Sequence, residues 1–330
     1  MIRSVAALVL LVLALTFAGL ACGDYPVSVG ELVSVFTRPA GSRPQIEMIV
    51  LDLRLPRVLL ALLVGVGLAV AGAIAQAVMR NPLAEPGILG INAGAAVAAM
   101  IVIVALDTAP NHLLPLAGFA GAGAMAAAIY VLSWRNGGTT SLRIILIGIG
   151  LSALAGAATT CLAAFGEIGD VQRAMIWLAG SVYHADWSGV QLLAAWLVAP
   201  LILALAASRQ LDLIRFGDQA ARSLGQRVDH VRAGMILLCT LLSGAAVAAA
   251  GLIGFVGLVA PHMARHLVGP AHARLVPVSA LIGAALVMAA DLAGRTVIAP
   301  AQLPAGIVTA LIGAPFFAYL LWGRSHAPTR

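Results

Sequence analysis

One stretch of the sequence decides the fold: residues 58–79 read VLLALLVGVGLAVAGAIAQAVM. None of these side chains is charged, and about 20 mainly apolar residues are enough for a helix to cross the hydrocarbon of a bilayer. Nine other stretches have the same character, which predicts an all-α polytopic membrane protein with about ten transmembrane helices. The predicted spans cover residues 5–22, 58–79, 88–106, 113–132, 143–165, 187–207, 233–250, 252–268, 275–293 and 304–322.

The overall composition points the same way. Apolar residues make up 62% of the 330 residues, charged residues make up 10%, and the mean hydropathy is +1.03. Soluble domains carry about 25% charged residues. The formal net charge is +6, but the positive residues are spread over the loops between the spans. That spread indicates membrane orientation and contact with membrane lipid, and it does not indicate a nucleic-acid partner.

All 19 basic residues are arginine. A nucleotide-binding P-loop requires a lysine on the phosphates, and Schiff-base chemistry also requires lysine, so this chain has neither. The sequence contains no GxSxG, no HExxH and no pair of aspartates within a span, which disfavours an intramembrane enzyme. No charged residue lies in the middle of a confident span, which disfavours an ion-coupled carrier.

The potential metal ligands do not form a set. Cys22, Cys161 and Cys239 have no metal-ligand spacing, and all three lie in apolar runs as small packing residues do. His262 and His266 are one helical turn apart and share a face, but no carboxylate or cysteine completes the set. We therefore predict no metal site and no cofactor.

Ten spans place both termini on the same side of the membrane. Thirteen of the 19 arginines then fall in the loops of that side, and six fall in the loops of the other. Because short cytoplasmic loops are enriched in positive residues, we predict that both termini are cytoplasmic in the cell inner (plasma) membrane. A change of one span would upset this count. Residues 5–22 also fit a cleaved signal peptide, although an uncleaved first helix is the simpler interpretation.

Two connecting segments are unusually long. The first, residues 23–55, is placed on the outer side, and its part 33–55 is predicted to be a periplasmic loop. The second, residues 208–232, is predicted to be a cytoplasmic loop that is polar and rich in arginine. Within it, Asp218 can begin a short helix and Gly225 can end it. Such a helix either fits a groove in a partner or lies solvated on the membrane surface.

Several motifs follow one another in a definite order between about Arg54 and Arg324. They are Arg54-Leu-Pro-Arg57, Asn81-Pro-Leu-Ala-Glu-Pro-Gly-Ile-Leu-Gly90 with Ile91-Asn-Ala-Gly94, Trp177-Leu-Ala-Gly-Ser181, Gly217–Gly225, Gly254-Phe-Val-Gly-Leu-Val-Ala-Pro-His262 with Arg265, Asp291 with Arg295, Leu303-Pro-Ala-Gly-Ile307 and Gly313-Ala-Pro-Phe316. Each motif alone is weak evidence, whereas the ordered set is specific. The chain resembles the FecCD family of ABC-importer permeases, which handle ferric siderophores, haem and vitamin B12.

The resemblance implies the type II ABC importer permease architecture, with residues 1–330 as a single transmembrane domain. It implies a transport subunit that is not an enzyme and has no catalytic residue. The implied cargo is an iron chelate, in the first place a ferric siderophore, with haem or vitamin B12 as the alternative. The implied partners are a second permease subunit in a homo- or heterodimer, two cytoplasmic ATP-binding subunits that hydrolyse ATP, and a periplasmic or lipid-anchored substrate-binding protein.

The resemblance also implies a docking surface for the binding protein. In the family, arginines at the positions of Arg54, Arg57 and Arg295 receive acidic residues of that partner. A guanidinium can pair with a carboxylate through two parallel hydrogen bonds, which suits this role. The alternative is that these arginines anchor helix ends at the lipid headgroups.

Coupling to the ATPase is implied for the segment Gly217–Gly225, which matches a helix that sits in a cleft of each ATPase subunit. Ala221 is expected to permit close approach of the partner, and Asp218 and Arg222 are expected to make polar contacts with it. The predicted coupling residues are Gly217, Asp218, Ala221, Arg222, Leu224 and Gly225.

Two further details come from the resemblance. Asn81, Pro82 and Leu83 are implied to help close a cytoplasmic gate, while the alternative is a rigid turn between the second and third membrane helices. The family often has Glu-Leu-Pro before the last helix, whereas this chain has Gln302-Leu-Pro304. The missing carboxylate is expected to weaken a contact near Arg295.

Overall fold

The computed structural model describes residues 2–37, 41, 43–106, 113–135 and 137–325. The α-helices of these residues are, in chain order, α1 (Ile2–Ala21), α2 (Val29–Thr37), α3 (Pro44–Glu47), α4 (Leu55–Val78), α5 (Ile91–Ala105), α6 (Leu113–Ser133), α7 (Ser141–Phe165), α8 (Ile168–Leu178), α9 (Trp187–Ala206), α10 (Ser208–Ile214), α11 (Asp218–Ser223), α12 (Val228–Ala250), α13 (Val256–Val268), α14 (His272–Thr296) and α15 (Ala305–Ser325). A π-helical segment, Met48–Arg54, leads into α4, and a 3₁₀ turn, Pro86–Leu89, precedes α5.

The predicted fold class, an all-α polytopic membrane protein, is confirmed. By length and composition, seven helical runs among the described residues can cross a membrane: Arg3–Ala21, Pro44–Val78, Leu113–Ser133, Ser141–Phe165, Trp187–Ala206, Val228–Ala250 and His272–Thr296. The apolar helix α5 and the described apolar part of α15 are shorter, and α13 has 13 residues. Each of the ten predicted spans therefore coincides with a helix.

The helix α13 begins later than the predicted span 252–268, and the backbone shows why. Gly251 ends α12 with φ +71°, and Phe255 has φ +66° immediately before Val256. Both conformations lie in the left-handed region, which interrupts a right-handed helix. The residues between α12 and α13 therefore form a bend that hydropathy alone does not detect.

The helix α4 forms the centre of the bundle, packed against α9, α12, α13 and α14. Two glycines on it permit very close approach. A Cβ atom at Gly65 would lie 2.2 Å from the carbonyl oxygen of Gly283, and one at Gly72 would lie 1.9 Å from that of Gly257. Small residues at such contacts allow tight packing of membrane helices, for which lipid provides no hydrophobic driving force.

Burial divides the bundle into a centre and a periphery. In the most apolar window of each helical run, 78% of the residues are buried in Pro44–Val78, 72% in α12 and 67% in α14. The corresponding share is 17% in α1 and α7 and 28% in α6 and α9. An exposed apolar face of this kind is stable only against lipid or another protein.

The predicted periplasmic loop, residues 33–55, is helical over most of its described residues, and its place on the outer side stays a prediction. The helix α2 ends at Thr37, and α3, the π-helical segment and α4 form one continuous run, Pro44–Val78. The mainly apolar π-helical segment Met48–Arg54 extends the membrane helix by 7 residues, while the two arginines and the proline of residues 54–57 resemble a helix start.

The segment 208–232 contains two short helices, α10 and α11, before α12 begins at Val228. As predicted, a helix begins at Asp218 and a glycine lies just past its end. Gly225 adopts φ +81°, and its N–H donates to the carbonyl of Arg222. This left-handed glycine ends α11 in the way that is common after helices.

Candidate functional site

Charged side chains gather at two opposite ends of the bundle. The Asp291 cluster lies where α1 and α14 end and α4 begins, and consists of Asp24, Arg54, Arg57, Asp291, Arg295 and Gln302. The Arg232 cluster lies where α12 begins, beside α11, and consists of Thr139, Asp218, Arg222, Asp229 and Arg232. The helix α14 runs from one end to the other, since the N–H of His272 donates to Asp212 of α10 at 3.0 Å.

The Asp291 cluster is centred on a buried carboxylate. Arg57 donates through Nε to Asp291 Oδ1 at 2.9 Å and to Oδ2 at 3.2 Å, and its Nη2 lies 2.8 Å from Oδ1. Arg295, one turn further along α14, places its Nε 3.6 Å from Oδ2. One carboxylate therefore faces two guanidinium groups, an arrangement with strong charge-assisted hydrogen bonds.

Two arginines of this cluster hold the end of α1. Arg54 donates through Nη1 to the carbonyls of Leu20 at 2.7 Å and Ala21 at 2.9 Å, and through Nη2 to the carbonyl of Tyr25. Arg295 donates to the carbonyl of Cys22 at 3.3 Å. The last carbonyls of a helix lack partners within it, so these guanidinium groups satisfy them.

Gln302 links an arginine and an aspartate of this cluster. Its Oε1 accepts a hydrogen bond from Arg57 at 3.0 Å, and its Nε2 donates to Asp24 at 3.1 Å. Its described hydrogen bonds are thus with Arg57 and Asp24, and the weakened contact near Arg295 stays a prediction. The Arg57 guanidinium also lies 5.3 Å above the ring of Tyr183, within cation–π range.

The structure brings the three predicted docking arginines together, but it engages all of them within the chain. Arg54 and Arg295 are buried, and the side chain of Arg57 is 11% exposed. Docking by these residues stays a prediction. The pairing of Asp291 with Arg295, four residues apart on a helix, has a sequence signal, whereas the contact of Arg54 with the end of α1 has none.

The Arg232 cluster is centred on a guanidinium instead. Arg232 is 0% exposed. Its Nη2 donates to Asp218 of α11 at 2.7 Å, and its Nη1 donates to the carbonyl of Thr139 at 2.5 Å and lies 3.7 Å from Asp229. One side chain of α12 thus contacts α11 and the turn between α6 and α7.

The predicted coupling residues divide into internal and exposed ones. Asp218 pairs with Arg232, and Arg222 donates to Asp229 at 3.0 Å. Ala221 is fully buried, and these three residues contact the chain itself, although the Arg222 side chain is 58% exposed. Leu224 is 64% exposed, and Phe216, which the sequence interpretation did not select, is 75% exposed. The free surface of this segment therefore combines two large apolar side chains with exposed polar ones.

The predicted gate residues form a compact turn after α4. Asn81 accepts a hydrogen bond from the N–H of Leu83 through its side chain at 3.0 Å, and its own N–H donates to the carbonyl of Gln76. Pro82 lies between them and is partly buried. An asparagine turn of this kind stabilises the bend locally, while the gating role stays a prediction.

Two polar residues near this turn carry contacts that the sequence interpretation missed. Gln76 accepts from Arg265 of α13 at 2.9 Å and donates to the carbonyl of Leu258 at 3.3 Å. Glu85 accepts a hydrogen bond from the backbone of Phe255, and desolvation raises the pKa of its carboxyl group. The signal for the contacts of Gln76 was a single glutamine in an otherwise apolar helix. Glu85 lies within the motif Asn81–Gly90 and was not singled out there.

An apolar groove of about 600 Å³ lies between the loop that precedes α13 and the helix α15. Its lining includes Leu252, Phe255, Ile307 and Leu311. On α13, the Nε2 atoms of His262 and His266 lie 3.2 Å apart. Among the residues that the structure describes, no group of three or more His, Cys, Asp or Glu side chains is placed to hold a metal ion.

A bundle of membrane helices with polar clusters at both ends, and with a short helix presented at one of them, defines a multi-pass membrane transport subunit. Comparison with known proteins makes this class specific. The chain belongs to the FecCD transport family, which matches it over residues 10–323. This confirms the resemblance drawn from the ordered motifs.

Two curated relatives illustrate the similarity. The chain is 45% identical over 322 residues to the achromobactin transport system permease protein CbrC of Dickeya dadantii (strain 3937), covering 96% of this chain and 90% of the relative. It is 40% identical over 319 residues to the iron(3+)-hydroxamate import system permease protein FhuG of Bacillus subtilis (strain 168), covering 94% of each.

A solved structure shows the same fold. It is described as an inward-facing conformation of a transporter of the metal-chelate ABC type, and it superimposes with a TM-score of 0.88. The two sequences are 30% identical, and the match covers 98% of this chain and 100% of the other.

Proposed function

We propose that this chain is the membrane-spanning permease subunit of an ATP-driven importer that carries ferric siderophores. The observation that carries the proposal is the similarity, over nearly the full length of both chains, to permeases named for achromobactin and for iron(3+)-hydroxamate import. An iron chelate carried intact needs no protein ligand for the metal. The permease therefore has to offer a pathway, and the apolar groove beside α13 and α15 is compatible with one.

ATP hydrolysis is assigned to two separate cytoplasmic subunits. The absence of lysine from the sequence supports this assignment, because a P-loop requires one. A second permease subunit, identical or different, completes the pathway and covers part of the exposed apolar periphery. A substrate-binding protein, periplasmic or lipid-anchored, delivers the chelate.

The proposed location is the inner membrane, with both termini in the cytoplasm. The unequal distribution of arginines between the two sets of loops supports this orientation. The Arg232 cluster then faces the cytoplasm and the ATPase subunits. The Asp291 cluster faces outward, toward the binding protein.

For coupling, α11 is proposed to bind a cleft of the ATPase through Phe216 and Leu224. Both are largely exposed at the ends of a short helix, and large apolar side chains of this kind form the centre of many binding sites. Asp218, Ala221 and Arg222 hold the helix to the permease, while Gly217 and Gly225 allow the sharp turns at its ends.

For docking, the Asp291 cluster is proposed to form the base of the surface that receives the binding protein. Arg57 is the least buried of the three arginines, and Tyr183 beside it is 53% exposed. These two residues are proposed to contact an acidic partner, while Arg54 and Arg295 fix the helix ends below them. Residues 81–83, at the opposite end of α4, are proposed to contribute to the cytoplasmic gate.

The proposal is tested by reconstituting the chain with its second permease subunit, its ATPase subunits and its binding protein in proteoliposomes. Ferric achromobactin, a ferric hydroxamate, hemin and cobalamin are supplied separately, and ATP-dependent uptake is measured. Uptake of a ferric siderophore that requires both ATP and the binding protein supports the proposal. Uptake without the ATPase subunits contradicts it, and uptake of hemin or cobalamin alone assigns the alternative cargo.

A further inference from the structure

The guanidinium of Arg232 joins three parts of the chain. It projects from the first turns of α12, pairs with Asp218 on α11, and donates to the carbonyl of Thr139 in the turn between α6 and α7. The side chain has no solvent exposure. Because the guanidinium group is planar and rigid, its two bound nitrogens hold Asp218 and Thr139 at a fixed distance from each other.

Asp229 makes the connection more rigid. Its carboxylate accepts from the N–H of Thr139 at 3.3 Å and from Arg222 at 3.0 Å, and it lies 3.7 Å from Arg232. The Asp229 carbonyl also accepts from the hydroxyl of Tyr130 on α6 at 3.4 Å. Two carboxylates and two guanidinium groups therefore balance in charge around the turn that precedes α7.

The far end of this connection is the start of α7. Thr140, adjacent to Thr139, caps α7 by accepting from the N–H of Arg143, and α7 begins at Ser141. Only 17% of the most apolar window of α7 is buried, compared with 72% for α12. A helix with so little packing within its own chain offers little resistance to a displacement of its first turn.

We propose that Arg232 is the positioning residue that transmits a displacement of α11 to the first turn of α7. The inference rests on the proposed coupling role of α11 and adds the internal route of the movement. A displacement of α11 moves Asp218, the ion pair moves the Arg232 guanidinium, and the hydrogen bond from Arg232 moves the carbonyl of Thr139. The energetic coupling passes through one side chain whose two ends contact different elements.

Arg222 provides the matched comparison within the same cluster. It also connects α11 with α12, through Asp229, but its side chain is 58% exposed. An exposed ion pair contributes little, because water and ions compete for both groups. Arg222 also reaches Thr139 through Asp229, but this route includes an exposed ion pair, whereas the route through Arg232 is buried. Removal of Arg222 should therefore weaken transmission much less than removal of Arg232.

The test compares Arg232→Met with Arg222→Met in the complete transporter, after replacement of the native cysteines. Spin labels at position 223 of α11, position 142 of α7 and position 203 of α9 report distances with and without a non-hydrolysable ATP analogue. In the wild type and in Arg222→Met, the labels at 223 and 142 should both move relative to 203. In Arg232→Met, the label at 223 should move while the label at 142 stays.

Transport gives the second readout. Arg232→Met should lower the uptake of ferric achromobactin per ATP hydrolysed by about tenfold, within the 5- to 150-fold range of couplings between sites. Arg232→Lys and Asp218→Asn keep a donor and an acceptor in place and should give intermediate ratios, which guards against a variant that does not fold. An unchanged ratio and unchanged movement at 142 in folded Arg232→Met overturn the inference. Absence of any ATP-analogue response in the wild type instead overturns the proposed coupling role of α11.

Discussion

The Asp291 cluster and the Arg232 cluster lie at opposite ends of the same bundle, and both depend on buried arginine, but they are built differently. The first has three guanidinium groups, two carboxylates and several carbonyls from the end of α1. The second has two guanidinium groups and two carboxylates, and it holds a short helix flanked by the exposed apolar side chains of Phe216 and Leu224. The first cluster fixes long helices to one another, whereas the second connects a short helix to α12 and to the turn between α6 and α7.

This difference shows that the Asp291 cluster has the larger number of charged groups but exposes less of their charge to a partner. At the Asp291 cluster the arginines that the family pattern marks for a partner are occupied inside the chain. At the Arg232 cluster Asp218 pairs with the buried Arg232, whereas Arg222 stays 58% exposed beside the apolar side chains of Phe216 and Leu224. The following substitutions separate the two kinds of construction.

The largest effect is expected from Asp291→Asn. Asparagine preserves the shape but removes the charge that faces Arg57 and Arg295, and breaking a buried pair costs about 3–5 kcal/mol of stability. Chemical or thermal unfolding of the purified protein in detergent measures the change. Asp170→Asn is the control, because its partner Arg173 is largely exposed and exposed pairs contribute about 0–1 kcal/mol. Equal losses in the two variants would contradict the buried role of Asp291.

Arg54→Met should produce the next largest loss. It leaves the carbonyls of Leu20, Ala21 and Tyr25 without their described donor, and a buried unsatisfied group costs about 1–3 kcal/mol. Because water can reach some of these carbonyls after the substitution, we expect a total of about 3 kcal/mol. Hydrogen exchange should increase at the end of α1. Arg173→Met, an exposed arginine, should change neither quantity; a similar loss there would argue against a specific contact.

At the other end, Phe216→Ala combined with Leu224→Ala should leave stability nearly unchanged and weaken binding of the ATPase subunits. Central apolar contacts often contribute about 2 kcal/mol to binding, equivalent to about a thirtyfold change in dissociation constant. Co-purification and titration in nanodiscs measure this change. Leu154→Ala, an equally exposed residue on α7, is the control. Full retention of ATPase binding in the double variant would show that Phe216 and Leu224 do not bind the ATPase subunits.

The smallest effect is expected from Gln302→Glu. The new carboxylate gains charge pairing with Arg57 but loses the donor that now reaches Asp24 and places two acids side by side. These opposing changes should leave stability within about 1 kcal/mol of the wild type. Gln302→Ala, which removes both hydrogen bonds, should be the less stable of the two variants in the same unfolding assay. The reverse order would show that repulsion between the new carboxylate and Asp24 dominates.

The sequence was sufficient for the membrane class and for the positions of the membrane helices, because long apolar runs leave few alternatives. The sequence misled where the same residue types occur both at helix starts and inside longer helices. The two arginines and the proline of residues 54–57 resemble a helix start, although the π-helical segment continues the helix through them. The left-handed conformation of Phe255 has no signal in its side chain, so the late start of α13 could not be predicted.

The candidate sites show the same limit. Local signals identified α11 correctly, since Asp218 begins it and Gly225 follows it. They could not show that Ala221 faces inward, because the facing depends on the partners of Arg232, which come from distant parts of the chain. Likewise, nothing near Arg54 in the sequence indicates that residues 20–25 supply its acceptors.

The central claim is that the two clusters face opposite sides of the membrane, with α11 inside the cell. The most direct test is labelling of single cysteines, Arg222→Cys and Arg173→Cys, in a background without Cys22, Cys161 and Cys239. A membrane-impermeant maleimide should label position 173 in intact cells and position 222 only after permeabilisation. Labelling of position 222 from outside intact cells, or of position 173 only after permeabilisation, would contradict the account.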